Sequence, residues 1–195
     1  MSNTDWRRKI SVHFTVPVAK ALSHTPLTPN TITWIGFVII WVAAFLVATQ
    51  HFLWGGIVML VASVMDAFDG ALARHTGKVT RFGAVLDSTL DRLSEGVVLL
   101  SVMYVMACEG LQWAVLLCGA TMLLSISVSY IRARAEGMGV ECSEGWFTRT
   151  ERVVVIALGL IINQIVIALS IVAVLSLITV IQRLYVAWRK LRSVE

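Results

Sequence analysis

An all-α integral membrane fold is what this sequence predicts: six transmembrane helices preceded by an N-terminal amphipathic surface helix, in a single domain over residues 1–195. Three observations carry that expectation. The chain is 57% hydrophobic and 14% charged, with a mean hydropathy of +0.81, whereas soluble domains are roughly 25% charged. Its apolar residues collect into runs of about 17 to 25 residues, the length that crosses a bilayer as a helix. Its 16 Lys and Arg residues fall near the N-terminus, around the second-to-third and fourth-to-fifth connections, and toward the C-terminus.

The elements follow in order. Over residues 1–25, Trp6, Ile10, Phe14 and Ala21 recur at helical spacing while Arg7, Arg8, Lys9 and Lys20 supply charge, which suits a juxtamembrane helix on an anionic membrane surface. Pro17 would kink that helix, and Pro26 and Pro29 end it. The segment lacks a continuous apolar core and a small-residue cleavage site, so no secretory signal is expected. Spans are expected at about 31–49, 52–75, 82–107 and 111–134. The last apolar run is too long for one helix, and Asn163 with Gln164 divides it into spans of about 148–162 and 165–188. The first of these borrows its opening turn from polar residues near Thr148.

The remaining three connections carry only Gln50 with His51, Glu109, and Asn163 with Gln164. The positive-inside rule therefore puts both termini and every basic connection in the cytoplasm, and the chain in a cell membrane as a multi-pass protein. No nucleic acid is expected as a partner. Cys108, Cys118 and Cys142 lack metal-ligand spacing and are odd in number, so they read as unpaired. The tryptophans lie mostly near span boundaries, as anchors.

Against this background Asp66, Asp69, Asp87 and Asp91 stand out. An Asp at the centre of a membrane helix costs roughly 2.5 to 3.5 kcal/mol on insertion scales, so a cluster persists only when paired, hydrated or bound to metal. Asp66 and Asp69 are three apart at the end of the second span, and Asp87 and Asp91 are four apart at the start of the third. Each pair shares a helix face, and the two antiparallel helices can turn both faces to one volume. Four carboxylates ionise together there only around positive charge, which fits two hard divalent cations, Mg²⁺ or Mn²⁺. Such a pair clamps the attacking and leaving oxygens of a phosphoryl displacement. Gly70 and Ala73 leave room for a phosphate near the backbone, Arg74 suits a diphosphate, and Lys78, Thr80 and Arg81 add donors.

Two other readings exist. Arg74 and Arg92 could make ion pairs of purely structural use, yet two cations leave two carboxylates over. A cation transporter would also carry intramembrane acids, but these lie at one end of their helices and no paired broken helices announce an inverted repeat. A second basic group, Arg132 and Arg134 after the fourth span and Arg149 and Arg152 at the start of the fifth, adds charge that an acceptor bearing its own phosphate would require. Topology alone would also account for it.

The string Asp66-x-x-Asp69-Gly70-x-x-Ala73-Arg74, eight residues, Gly83-x-x-x-Asp87-x-x-x-Asp91 resembles the signature of the CDP-alcohol phosphotransferase family. Pro29-Asn30-Thr31-Ile32-Thr33 is similar to the segment that leads into that family's first span, and the likeness covers essentially the whole chain. The resemblance implies transfer of a phosphatidyl-type group from a CDP-linked lipid to a small alcohol with release of CMP, by a homodimer. It implies that Asp66 and Asp87 bridge two metals, that Asp69 completes one site, and that Asp91 binds the other metal and is the catalytic base. Asn30, Thr31, Ile32, Thr33, Gly70, Ala73, Arg74 and Thr80 would hold the CDP-lipid.

Tyr130-Ile131-Arg132-Ala133-Arg134-Ala135-Glu136, Arg149-Thr150-Glu151-Arg152 and Leu86-Asp87-Ser88-Thr89-Leu90-Asp91-Arg92 resemble the family's phosphatidylinositol phosphate branch, which extends to archaeal enzymes on ether lipids. The branch implies CDP-diacylglycerol as donor and inositol phosphate as acceptor. Arg132 and Arg152 would hold the acceptor phosphate, Arg134 and Arg149 would assist, and Arg189 or Arg192 would join them. The chain departs from the branch at Thr148 and in Gly145-Trp146-Phe147. Glycerol phosphate or another small alcohol remains the alternative acceptor.

Overall fold

A computed structural model describes residues 28–192 apart from 78, 143, 144 and 146, and in helix α2 leaves out the side chains of Ala67, Asp69, Ala71, Arg74 and His75. The described residues form six helices and no strand: α1 (Pro29–Ala48), α2 (Phe52–Thr76), α3 (Arg81–Cys108), α4 (Gln112–Gly137), α5 (Arg149–Ile161) and α6 (Ile165–Arg192). The all-helical expectation holds, and the expected helix over residues 1–25 lies outside the described residues.

Local chemistry sets the helix ends. Thr28 caps α1, its hydroxyl accepting from the Thr31 amide, with Pro29 in the first turn where its missing N–H costs nothing. Thr80 caps α3 in the same way, accepting from Gly83 N at 2.9 Å. Thr148 and Glu151 close a capping box on α5. Gly77 ends α2 in the left-handed conformation, at φ 65°. Asn163 takes a positive φ of 54° in the tight turn between α5 and α6, where the sequence broke its last apolar run.

Packing runs in a closed ring. α1 lies against α2 and α3, α2 against α5, α5 against α6, α6 against α4, and α4 against α3. Neighbouring glycines on α2 make two of these approaches. A methyl on Gly55 would lie 2.6 Å from Val47 Cγ2 on α1, and one on Gly56 would lie 2.7 Å from the Ala157 carbonyl oxygen on α5. Small residues bring backbones close enough for dispersion to hold helices together where the surroundings are as apolar as the side chains. The centre is filled by residues such as Val98, Leu99 and Val102 of α3, Ile156 and Leu160 of α5, and Leu169 and Val172 of α6.

The outer faces are apolar too. Trp34, Val38, Trp41, Phe45, Leu116, Leu123, Ile167, Val174 and Ile181 are all exposed, which suits lipid and not water. α1, α4 and α6 are long and apolar enough to cross a membrane, and α2 has a shorter apolar stretch, Phe52–Asp66. α2 and α3 spend part of their length on carboxylates, and α5 has only 13 residues, about 20 Å at 1.5 Å per residue. Two helices outrun the expected spans, α4 to Gly137 and α6 to Arg192, because their last turns are basic and favour the negative end of the helix dipole.

Candidate active site

Asp66 lies toward the end of α2, and Asp87 and Asp91 lie one turn apart near the start of α3. One carboxylate oxygen from each falls within 4.8 Å of the others. The convergence expected from spacing is therefore present for these three. The Asp69 backbone sits three residues beyond Asp66 in α2, but its side chain, like that of Arg74, lies outside the described residues.

Across the cluster α5 presents its first residue. Arg149 Nη1 is 2.6 Å from Asp66 Oδ2 and 2.6 Å from Asp91 Oδ1. Arg149 was expected among the acceptor contacts, and it stands at the carboxylates themselves. Arg92, considered as an ion-pair partner, turns its Nη1 back to the Ser88 carbonyl of its own helix.

Beside the carboxylates an open groove of about 320 Å³ is lined by Pro29, Asn30, Thr33, Gly70, Ala73, Val79, Thr80, Gly83, Ala84 and Asp87. Asn30, Thr33, Gly70, Ala73 and Thr80 were all expected to hold a CDP-lipid. Thr31 donates its amide to the Thr28 cap, Ile32 is buried in the packing, and neither lines the groove. Gly83 lets the walls meet: a methyl there would lie 2.9 Å from Thr80 Oγ1 and 3.1 Å from Asn30 Oδ1. A second, narrow cavity of about 20 Å³ runs inward between α1, α2, α3 and α5, past Asp66, Asp91, Glu95 and Arg149.

The remaining arginines separate into two kinds. Arg132 is exposed and pairs with Glu136 four residues on, Nε to Oε1 at 2.8 Å, and Arg134 is exposed. Arg152 is only 1% exposed and pairs end-on with Glu95, Nε to Oε1 at 2.7 Å and Nη2 to Oε2 at 2.8 Å. A second buried arginine was not expected. Arg183 on α6, 3% exposed, donates from Nη1 to the Val128 carbonyl at 2.6 Å, and Arg132 and Arg152 are among the charges near it. Gly145 passes so close that a methyl on it would meet Arg183 Nε at 3.0 Å. Arg192 instead lies over the Trp188 ring, 5.6 Å from its centroid.

Sequence reasoning missed Glu95 and Arg183. Both are ionisable residues within apolar spans, and the cost argument that singled out the aspartates applies equally to them.

A family model described as CDP-alcohol phosphatidyltransferase matches residues 26–185. The chain belongs to that family. Archaetidylinositol phosphate synthase of Pyrococcus horikoshii is 41% identical over 177 residues, 89% of this chain and 90% of that protein. Phosphatidylinositol phosphate synthase of Mycobacteroides abscessus is 36% identical over 190 residues, 91% of this chain and 85% of that protein. Among solved structures, Mycobacterium tuberculosis phosphatidylinositol phosphate synthase with CDP-DAG bound superimposes with a TM-score of 0.83 at 31% identity, covering 90% of this chain and 94% of that one. The same enzyme in complex with manganese and citrate also gives 0.83, at 32% identity, covering 90% and 89%.

This CDP-alcohol phosphatidyltransferase is thus a transferase and, with its apolar helices, a membrane protein. Its described donor set suits a divalent cation. Three carboxylates carry more negative charge than the one guanidinium bonded among them balances, and an all-oxygen set selects hard ions over zinc or copper.

Proposed function

We propose that the protein transfers a phosphatidyl group from CDP-diacylglycerol to inositol phosphate, giving phosphatidylinositol phosphate and CMP. The observation that carries this reading is the convergence of Asp66, Asp87 and Asp91 at the wall of a groove lined by Asn30, Thr33, Gly70, Ala73 and Thr80. Carboxylates for metal and a cleft for the nucleotide thus lie side by side. The names of the relatives support inositol phosphate as acceptor.

Asp91 takes the proton of the acceptor hydroxyl. The freed oxygen forms a bond to the phosphorus that bears the diacylglycerol, the bond from that phosphorus to the CMP oxygen breaks, and CMP leaves with the electron pair. Asp66, Asp69, Asp87 and Asp91 would hold two Mg²⁺ or Mn²⁺ ions, which when bound supply Lewis-acid neutralisation of the diphosphate. Asn30, Thr33, Gly70, Ala73, Arg74 and Thr80 hold the CDP moiety, with Thr31 and Ile32 fixing the segment. Arg132, Arg134, Arg149 and Arg152 attract the acceptor phosphate, and the buried Arg183 adds to them. The protein works as a homodimer in the cell membrane with six spans, its termini and active site cytoplasmic.

A second reading concerns the donor. The archaetidyl relative at 41% identity favours an ether-linked CDP-lipid as an alternative. Purified protein in detergent should release CMP from CDP-diacylglycerol only with inositol phosphate and a divalent cation present, and EDTA should abolish release. Product from glycerol phosphate but not from inositol phosphate would overturn the acceptor. Turnover of the ether lipid alone would overturn the donor.

A further inference from the structure

Asp91 and Glu95 are one turn apart on α3, and Arg149 and Arg152 are one turn apart on α5. The two helices are not neighbours in the ring, and among the described residues two ion pairs span them as rungs: Asp91 to Arg149 at 2.6 Å and Glu95 to Arg152 at 2.7 Å. The first rung belongs to the carboxylate site. The second has no assigned task.

We propose that Glu95 is a positioning residue, which fixes the Arg152 guanidinium so that its remaining nitrogen, Nη1, faces the phosphate of the acceptor. The proposal rests on the reading of Arg152 as an acceptor contact. Glu95 takes both the Nε and Nη2 donors in the parallel geometry that sets the plane of a guanidinium. Arg152 Nη1 is buried and has no hydrogen-bond partner among the described residues. A pair serving only to hold two helices together would satisfy that nitrogen as well, because an unmet buried donor is costly. Glu95 also lines the narrow inner cavity that holds Asp66, Asp91 and Arg149, and a smaller one of about 10 Å³ with Arg92 and Ser125, whose hydroxyl likewise has no partner among the described residues. The second rung therefore stands one turn inward from the reacting carboxylates. Without Glu95 the cation would be buried uncompensated and free to turn.

The test is steady-state kinetics of purified protein with inositol phosphate and CDP-diacylglycerol varied in turn. Glu95→Gln should raise the KM for inositol phosphate about tenfold or more and leave that for CDP-diacylglycerol within about twofold, the split that separates acceptor positioning from general damage. Glu95→Asp should recover part of the loss. Because Glu95→Gln leaves a buried charge that can unfold the chain, Glu95→Leu is also combined with Arg152→Met, which removes both charges at similar volume. On the Arg152→Met background Glu95→Leu should add nothing to the acceptor KM. Equal rises in both KM values, or additive effects in the pair, would overturn the positioning role alone. A wild-type enzyme that releases CMP to another acceptor but not to inositol phosphate would overturn the reading beneath it and this one together.

Discussion

Asp91 faces Arg149 at 2.6 Å and shares a volume with Asp66 and Asp87, and in the proposed function its charge would serve both proton acceptance and metal holding. Asp91→Asn keeps the shape and removes the base. CMP release by this variant should fall by about 10² to 10⁴, the usual contribution of a positioned general base, and a loss under tenfold would exclude the role. Gly83 is a separate case, because its constraint is space and not charge. Gly83→Ala drives a methyl against Thr80 Oγ1 and Asn30 Oδ1, and should raise the KM for CDP-diacylglycerol several-fold while that for inositol phosphate stays put. Matching shifts in both would mean that the groove holds something other than the nucleotide. At this scale Asp66, Asp87 and Asp91 were legible in the sequence because spacing put each helix's carboxylates on one face, although α2 and α3 each pack on α1 and are not neighbours in the ring. Gly83 was legible only as a member of the family string. Arg152 was read as a charge at the cytoplasmic surface, whereas it is buried. Its burial depends on Glu95, which is 57 residues away in sequence, and no local pattern links the two.

The helices themselves were legible because lipid imposes one requirement, an apolar run of bilayer length, and breaks in such runs mark the turns. Their neighbours were not. The ring order depends on which small residues meet, and a glycine in a sequence does not say which helix it faces. Gly55 and Gly56 are adjacent in sequence, yet one packs on α1 and the other on α5. The clash at Gly56 is with a backbone oxygen, which cannot swing aside. Gly56→Ala should therefore destabilise the bundle by about 1 to 3 kcal/mol, the usual cost of overpacking, read as a lower thermal midpoint in detergent. Gly36→Ala, where a methyl would meet nothing within 4 Å, is the control. Equal midpoints for the two variants would mean that α2 and α5 part easily, and the carboxylates would then lack a fixed relation to Arg149.

For the whole molecule, the feature that decides how function meets the membrane is the sorting of charge to one end of the bundle. The carboxylates, the buried arginines and the basic last turns of α4 and α6 lie toward the end where α2, α4 and α6 finish. The opposite end carries His51, Glu109 and Gln164 in its turns. Among the described residues three of the six helices are long and apolar enough to be recognised as spans; α2 and α3 carry the carboxylates, and α5 has only 13 residues. By the positive-inside rule the charged end is expected in the cytoplasm, the side on which the proposed reaction would find a soluble nucleotide product and a phosphorylated acceptor. A native cysteine makes this testable. Cys108 closes α3 at the opposite end and is exposed, whereas Cys118 and Cys142 are buried. A membrane-impermeant maleimide added to intact cells or spheroplasts at mildly alkaline pH, where a thiol is partly ionised, should label the protein once, and Cys108→Ser should remove the label. Labelling only after the membrane is permeabilised would put Cys108 in the cytoplasm and the carboxylates outside, away from their substrates.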